Sequence, residues 1–289
     1  MRDGYADLSE VRLHYVEAGE GPLVVLLHGF PDFWYSWRFQ IPALAGAGFR
    51  VVAPDMRGYN LSSRPLGIAP YATSRLAADV RDLIAERAGG AGAFLAGHDW
   101  GAAVAWVTAI RHPEAVQRLA ILNVPHPRRM VEALRRPGRQ LLRSWYMFFF
   151  QLPWLPERLL AADDWRGLRR PFQDARPGAF TASDLERYKQ AWSAPGAATA
   201  MLNYYRAALR RPPGGAAGRS LPPVQAPTLV IWGERDRHLG AELAEPCPAD
   251  VPRLERVVRL PYASHWVQHD EPDRVSELLI DFFRAGSIR

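Results

Sequence analysis

The first half of the chain alternates short apolar runs with segments of helical character. Four continuous apolar runs are typical of strands buried on both faces of a sheet: PLVVLLHGF (22–30), FRVVAPDMRG (49–58), GAFLAGHDWG (92–101) and VQRLAILNVP (116–125). Between them, YATSRLAADVRDLIAERAG (71–89) carries apolar residues at helical spacing, and the Ala-rich AAVAWVTAIRH (102–112) ends before Pro113. This βαβα order predicts a mostly parallel, doubly wound α/β sheet.

The alternation stops near residue 125 and resumes after residue 221. Strand patterns return in APTLVIWGERD (226–236) and VVRLPYASHW (257–266), and an amphipathic helix, EPDRVSELLIDFFRAG (271–286), closes the sequence. Residues 125–221 contain 17 Arg and Lys against 7 Asp and Glu, a net charge of +10, whereas the remainder carries −4. We therefore predict a core domain of residues 1–124 and 222–289, interrupted by a helical cap domain of residues 125–221.

Composition and charge narrow the class of protein. The net charge of +6 comes from Arg residues spread along the chain with no run longer than two, which argues against nucleic-acid binding. Cys247 is the only cysteine, so no disulfide framework can form and a reducing compartment is expected. No apolar run reaches the roughly 18 residues that a membrane span needs. We expect a cytoplasmic protein without a membrane span, either a monomer or a homodimer.

Four polar segments follow predicted strands, where ligands bind in a parallel sheet. These segments are HGFP (28–31), GHDWG (97–101), GERD (233–236) and ASHW (263–266). GHDWG has the form of a nucleophile elbow, with Asp99 where Ser is usual and with glycines at 97 and 101 that leave space for a sharp turn. A helix N-cap is the alternative role for Asp99. The strand-end position of Asp99 predicts a carboxylate nucleophile.

Two further residues complete a predicted triad. His265 follows a strand where a general base could reach a neighbouring strand end, with His269 as the local alternative. Asp236 could orient the imidazole and stabilise its charged form, with Glu234 as the alternative acid. The order of nucleophile, acid and His along the chain matches that of α/β-hydrolases.

HGFP predicts the remaining part of the site. The glycine before Phe30 lets the Phe30 N–H point inward, and together with the Trp100 N–H it could form an oxyanion hole. We interpret His28 as a structural residue of this loop. No pair of His, Cys or carboxylate residues has convincing metal-ligand spacing, so neither a metal nor a cofactor is predicted.

At these residues the chain resembles the epoxide hydrolases of the α/β-hydrolase superfamily. The similarity extends over nearly the whole chain, through HGFPDFWYSWRFQIPALAGAGFRVVAPDMRGYNLSSRP, GHDWGAAVAW, IWGERDRHL and ASHWVQHDEP. It implies two cap tyrosines that hydrogen-bond the epoxide oxygen, Tyr146 in WYMFFFQLP and Tyr205 in LNYYRA, with Tyr204 as a packing neighbour. Asn60 departs from the glycine that is more usual in RGYNLS.

The resemblance implies an enzyme that converts small apolar or aromatic epoxides and water to vicinal diols through a covalent Asp99 ester. The cap aromatics suggest an apolar pocket, for which we predict the lining residues Pro31, Trp145, Phe149 and Trp266. A dehalogenase of the same fold is the nearest alternative, because Asp nucleophiles followed by Trp also cleave carbon–halogen bonds. A non-catalytic small-molecule receptor is the alternative from another class.

Overall fold

The computed structural model describes residues 1–136, 138–210 and 221–287. Eight strands form one sheet in the spatial order β1-β2-β4-β3-β5-β6-β7-β8. The strands are β1 (Arg2–Asp7), β2 (Arg12–Ala18), β3 (Leu23–Leu27), β4 (Arg50–Pro54), β5 (Ala93–His98), β6 (Val116–Leu122), β7 (Thr228–Gly233) and β8 (Leu254–Leu260). Strand β2 is antiparallel to both neighbours, and every pair from β4 to β8 is parallel. The predicted mostly parallel sheet is confirmed.

Helices cover the sheet and make up most of the described residues between β6 and β7. They are α1 (Gln40–Gly46), α2 (Thr73–Ala88), α3 (Trp100–Arg111), α4 (Pro127–Arg135), α5 (Arg139–Arg143), α6 (Trp145–Phe149), α7 (Leu155–Arg169), α8 (Ala182–Trp192), α9 (Ala197–Arg210), α10 (Val267–Asp270) and α11 (Pro272–Ser287). Single 3₁₀ turns lie at Trp34–Trp37, Ala69–Tyr71, Pro113–Ala115, Arg170–Asp174 and Ala241–Leu243. None of the helices in the described part of the chain is long and apolar enough to cross a bilayer.

Two apolar layers hold the sheet between its helices. In β3, Val24 and Leu26 pack into the layer formed with α1 and α11, whereas Val25 and Leu27 pack into the layer formed with α2 and α3. Successive side chains of a strand point to opposite faces, so both must be apolar when both faces are covered. This double burial explains the continuous apolar runs and confirms the doubly wound arrangement.

The predicted elements correspond closely to the observed ones, with two differences. The helix predicted from residue 102 begins at Trp100, directly after Asp99. The segment ERYKQAWSAPGAATAMLNYYRAALR (186–210) has helical character in the sequence but belongs to two helices, because α8 ends at Trp192 and Gly196 adopts a φ of 78° before α9 begins. That backbone conformation interrupts a helix and suits glycine.

The described residues between β6 and β7 fold mainly into helices α4 to α9. Thr181 and Asp184 form a reciprocal capping box at the start of α8, with hydrogen bonds of 3.1 and 2.8 Å. The Tyr204 hydroxyl of α9 donates to the Arg57 carbonyl at 2.7 Å, which fastens this helix to the loop after β4. We call residues 127–210 the cap segment. Residues 211–220 of the predicted cap domain lie outside the described chain, and its limits at 125 and 221 stay predictions.

Candidate active site

Asp99 occupies a sharp turn between β5 and α3. Its φ of 49° and ψ of −123° lie outside the regions that non-glycine residues normally adopt. Glycines allow the close packing that this turn requires. A Cβ at Gly97 would lie 2.5 Å from the Gly101 carbonyl carbon, and a Cβ at Gly101 would overlap the Leu27 carbonyl oxygen. A Cβ at Gly29 would overlap the Asp99 side chain. The strained turn therefore presents the carboxylate at the carboxyl end of the sheet.

The two carboxylate oxygens of Asp99 face different groups. The Phe30 N–H donates to Oδ1 at 2.7 Å, and the His265 Nε2 lies 3.5 Å from Oδ2. Burial opposes ionisation, but the hydrogen bond and charge of His265 outweigh it, so the pKa of Asp99 is lowered from its usual value. Asp99 is thus an ionised carboxylate with one oxygen held by a backbone donor.

A second carboxylate holds His265 from the opposite side. The His265 Nδ1 lies 2.7 Å from Asp236 Oδ2, which also accepts a 2.7 Å hydrogen bond from Asn123 Nδ2. The other oxygen, Oδ1, accepts from the N–H groups of His238 and Leu239 at 2.7 and 2.9 Å. These four hydrogen-bond donors hold the Asp236 carboxylate in place, and the carboxylate in turn holds the His265 ring.

The charges of this cluster favour a protonated imidazole. Burial disfavours the charged form of His265, but the adjacent Asp236 and Asp99 carboxylates outweigh it and raise its pKa to about 10. Burial likewise opposes ionisation of Asp236, yet the charge of His265 lowers the pKa of this carboxyl to about 2. At neutral pH the site holds a cation between two anions.

Environments different from that of His265 and Asp236 surround the alternative base His269, the alternative acid Glu234 and the nearby His28. His269 Nδ1 lies 2.8 Å from Arg38 Nη1, and its ring packs on Phe180 with centroids 4.5 Å apart. The side chain of Glu234 is exposed at the start of the loop after β7. His28 donates from Nδ1 to the Gly29 carbonyl at 3.0 Å and accepts from the Met56 N–H at 2.9 Å, which fits its predicted structural role. Of these candidates, the structure brings His265 and Asp236 to Asp99.

A cavity of about 160 Å³ opens beside Asp99. Trp100, Tyr146 and Tyr205 contribute to its wall, and most of the remainder is apolar. The two tyrosine rings lie edge to face with centroids 5.8 Å apart, and Tyr205 also packs against Phe30 at 5.3 Å. Burial and the nearby Asp99 charge raise the pKa of both phenols, so each keeps its proton. Both predicted tyrosines therefore face the same space as the carboxylate.

The four predicted pocket residues lie outside the wall of this cavity. Trp145 is wrong as a pocket residue, because 64% of its surface is exposed on the outer side of α6. Phe149 packs between Trp145 and Phe150, at 6.0 and 5.9 Å. Pro31 is buried and its carbonyl accepts from the Trp192 indole at 2.6 Å. Trp266 is buried behind His265, with its indole donating to the Pro171 carbonyl at 2.9 Å.

Three residues of the site were not predicted. Asn123 follows β6, and its Oδ1 accepts from the Gly233 N–H at 2.8 Å while its amide donates to Asp236. His98 Nε2 donates to the His265 carbonyl at 2.8 Å, and burial lowers the pKa of His98 to about 3, so it is neutral. The His238 ring packs against the rings of Tyr146 and His265, with centroids 5.8 and 5.3 Å away. Asn123 and Asp236 share one sequence signal, because each is a polar residue within three positions of the end of a buried strand.

The sheet, the elbow and the Asp99, Asp236 and His265 arrangement define the α/β-hydrolase class. The family described as alpha/beta hydrolase fold matches residues 22–272. Epoxide hydrolase 4 of Homo sapiens is 39% identical over 284 residues, covering 96% of this chain and 76% of that protein. AB hydrolase superfamily protein YfhM of Bacillus subtilis is 41% identical over 283 residues, covering 97% of each.

Solved structures agree with these relatives. The Bacillus megaterium epoxide hydrolase in complex with an inhibitor matches 97% of this chain and 100% of its own, with 35% identity and a TM-score of 0.87. Epoxide hydrolase A from Mycobacterium thermoresistibile matches 98% of each chain with 33% identity and a TM-score of 0.81. The chain belongs to the epoxide hydrolase family of the α/β-hydrolase fold. The fold, the family and the enzyme class predicted from the sequence are confirmed.

Proposed function

We propose that this enzyme opens small apolar epoxides to vicinal diols through an ester formed on Asp99. The observation that carries the proposal is one apolar cavity that joins an ionised carboxylate to two protonated phenols, Tyr146 and Tyr205. A carboxylate can displace oxygen at a saturated carbon, and phenols can supply the proton that the departing oxygen requires. Family membership supports the same reaction.

We infer different roles for the two carboxylate oxygens of Asp99. Oδ1 is held by the Phe30 N–H at 2.7 Å, which leaves Oδ2 to attack an epoxide carbon. The new bond joins Oδ2 to that carbon while the ring carbon–oxygen bond breaks, and the released oxygen takes a proton from one of the two tyrosines. Oδ1 becomes the ester carbonyl oxygen, already placed at a backbone donor. The Trp100 N–H is the proposed second donor of this oxyanion hole.

Ester formation changes the charge around His265. The resting imidazole carries a proton because two carboxylates flank it, at 2.7 and 3.5 Å. The ester is neutral, so one of the two anions disappears and the pKa of His265 falls. The proton released by His265 then returns to the tyrosinate, which restores the phenol. The first step thereby turns His265 into the base that the second step needs.

Hydrolysis of the ester restores the starting state. Neutral His265 takes a proton from water, and the hydroxide attacks the ester carbonyl carbon while the oxyanion on Oδ1 accepts from the oxyanion hole. Collapse of this intermediate breaks the bond between the carbonyl carbon and Oδ2. The released Oδ2 takes the remaining proton of the attacking water and becomes the new hydroxyl of the diol. The Asp99 carboxylate is thereby regenerated beside a protonated His265. Asp236 stays ionised throughout and orients the imidazole, as its fixed hydrogen bonds allow.

Diol formation from a styrene-oxide-type epoxide tests the proposal directly. We expect the purified protein to yield the vicinal diol and to incorporate one oxygen atom from labelled water. The same preparation should release no halide from haloacetate or 1-haloalkanes. A halide leaves without a proton, so a dehalogenase would not need the two phenols of this cavity. Halide release without diol formation would identify a dehalogenase, and ligand binding without any turnover would identify a receptor.

Removing both phenols tests the proton donors. We expect the double variant Tyr146→Phe/Tyr205→Phe to lose diol formation by about 10²-fold to 10⁴-fold, since general acids contribute factors of this order. The measurement is the rate of diol formation under single-turnover conditions. Tyr204→Phe is the matched control, because this neighbour donates to the Arg57 carbonyl and should leave the rate near wild type. An unchanged rate in the double variant would remove the tyrosines from the mechanism.

A further inference from the structure

The outer surface of the cap segment carries large apolar side chains that the rest of the described chain leaves open to solvent. Exposed fractions of 45% to 76% are found for Leu142, Trp145, Phe148, Leu152, Trp154 and Leu159. We call these six residues the apolar stripe. They come from only 18 consecutive positions, residues 142–159. Exposed apolar groups concentrated in this way usually mark a binding surface.

Four of the six stripe residues lie in helices α5 to α7, and Leu152 and Trp154 lie in the turn between α6 and α7. Along α5 and α6, the exposed Leu142, Trp145 and Phe148 recur every third residue. Gln140, Ser144 and Met147 are buried on the other side. A surface helix normally presents polar residues to water, so an apolar outer side needs a different explanation. The buried side chains of α5 and α6 contact the rest of the protein, so the exposed apolar side chains can contact another apolar phase.

Basic residues lie close to the stripe along the chain. Arg135, Arg136, Arg139 and Arg143 lie in α5 or at the end of α4, and the Arg158 guanidinium lies 5.9 Å from the Trp154 ring centroid. Within the described chain these five guanidinium groups have no carboxylate partner. The one acid between residues 135 and 159, Glu157, is paired with Arg206 at 2.7 Å. The surface thus combines apolar and cationic groups.

We infer that the apolar stripe docks on an anionic lipid bilayer. Trp, Phe and Leu side chains enter the boundary between headgroups and acyl chains, and Arg residues at its edge attract anionic headgroups. A second copy of the chain fits less well, because a symmetric contact would bring the same arginines face to face. The segment 211–220, RPPGGAAGRS, offers no large apolar side chain and two more arginines. Charge and chemistry together favour lipid.

Docking would bring the bilayer close to the cavity. Tyr146 and Met147 of α6 line the cavity, and their neighbours Trp145 and Phe148 belong to the stripe. One short helix therefore separates the proposed lipid contact from the cavity. If the proposed function holds, apolar epoxides dissolved in the bilayer would have a short path to Asp99. Lipid binding itself requires no turnover.

Vesicle co-sedimentation of the full chain tests the inference. We expect binding to phosphatidylcholine vesicles that contain phosphatidylglycerol, weaker binding to phosphatidylcholine alone, and loss of binding as salt screens the charges. Leu142→Ser/Phe148→Ser/Trp154→Ser should lower the vesicle affinity by about tenfold or more. Arg135→Gln/Arg139→Gln should lower it and reduce its salt dependence. The control Leu66→Ser/Tyr262→Ser removes two large hydrophobic residues elsewhere, with exposed fractions of 95% and 65%, and should bind like wild type.

Three results would overturn the inference. These are absence of binding to the anionic vesicles, equal binding by wild type and the triple-serine variant, and a dimer in size-exclusion chromatography that the triple-serine variant dissociates. Thermal unfolding of each variant separates lost binding from lost folding, and the arginine variant provides an independent answer if the serine variant unfolds. Since diol formation is assayed without vesicles, failure here leaves the proposed function untouched.

Discussion

Replacing Asp99 with alanine should lower diol formation by about 10⁴-fold or more, since loss of a covalent nucleophile removes the main route. The same variant should show a His265 pKa below the wild-type value of about 10. The sign follows from charge: Asp99 stabilises protonated His265 from 3.5 Å, so its removal favours the neutral ring. Single-turnover assays measure the rate, and NMR titration of the imidazole measures the pKa.

Glu234→Ala is the control for the Asp99 variant. Glu234 is an exposed carboxylate after β7, and its loss should leave both the rate and the His265 pKa near wild type. Retained turnover in Asp99→Ala would eliminate the ester mechanism. An unchanged His265 pKa in a folded Asp99→Ala protein would show that the ester step cannot release the imidazole proton as proposed.

Replacing His265 with glutamine should stop the reaction after the first step. Asp99 can still attack the epoxide, but the variant has no base to activate water, so the ester should accumulate to about one equivalent per chain. Intact-mass spectrometry should show a gain of one substrate mass, and peptide mapping should place it on the segment that contains Asp99. Diol formation at steady state should fall to background.

His269→Gln provides the comparison for the ester-trapping experiment. This histidine lies beside Arg38 and Phe180, away from the Asp236 carboxylate that holds His265. It should therefore turn over substrate without accumulating an adduct. A folded His265→Gln protein that gains no mass after exposure to epoxide would contradict a covalent route, whatever its rate of diol formation.

Much of the fold could be predicted because the strands of a doubly covered sheet must be apolar throughout. All six predicted strands were found. Five of them contain a buried core such as Val24 to Leu27, whereas in β8, at the other edge of the sheet, Leu260 is the one buried residue. Strands β1 and β2 were not predicted. In β1, at the edge of the sheet, Ala6 is the one buried residue, so the run of apolar residues that reveals a central strand is missing there.

The sequence also predicted which residues lie together at the strand ends, but it predicted less about the cap. Asp99, Asp236 and His265 could be placed together because parallel strands bring their carboxyl ends to one edge. The cavity side of α6 could not be predicted, because spacing along this helix does not reveal which of its residues meet the ligand. Tyr146 and Trp145 are neighbours in the chain, yet the first lines the cavity and the second faces solvent.

The position of the cap segment between β6 and β7 divides the chemistry between two stretches of chain. The proposed nucleophile, base and orienting acid follow strands of the sheet, whereas Tyr146 and Tyr205 belong to helices inserted between those strands. Exchange of the insertion would therefore replace the proposed proton donors and leave the proposed nucleophile in place. Under the proposed mechanism, the residues at the strand ends make the bond to carbon, and the inserted helices determine which bond is broken.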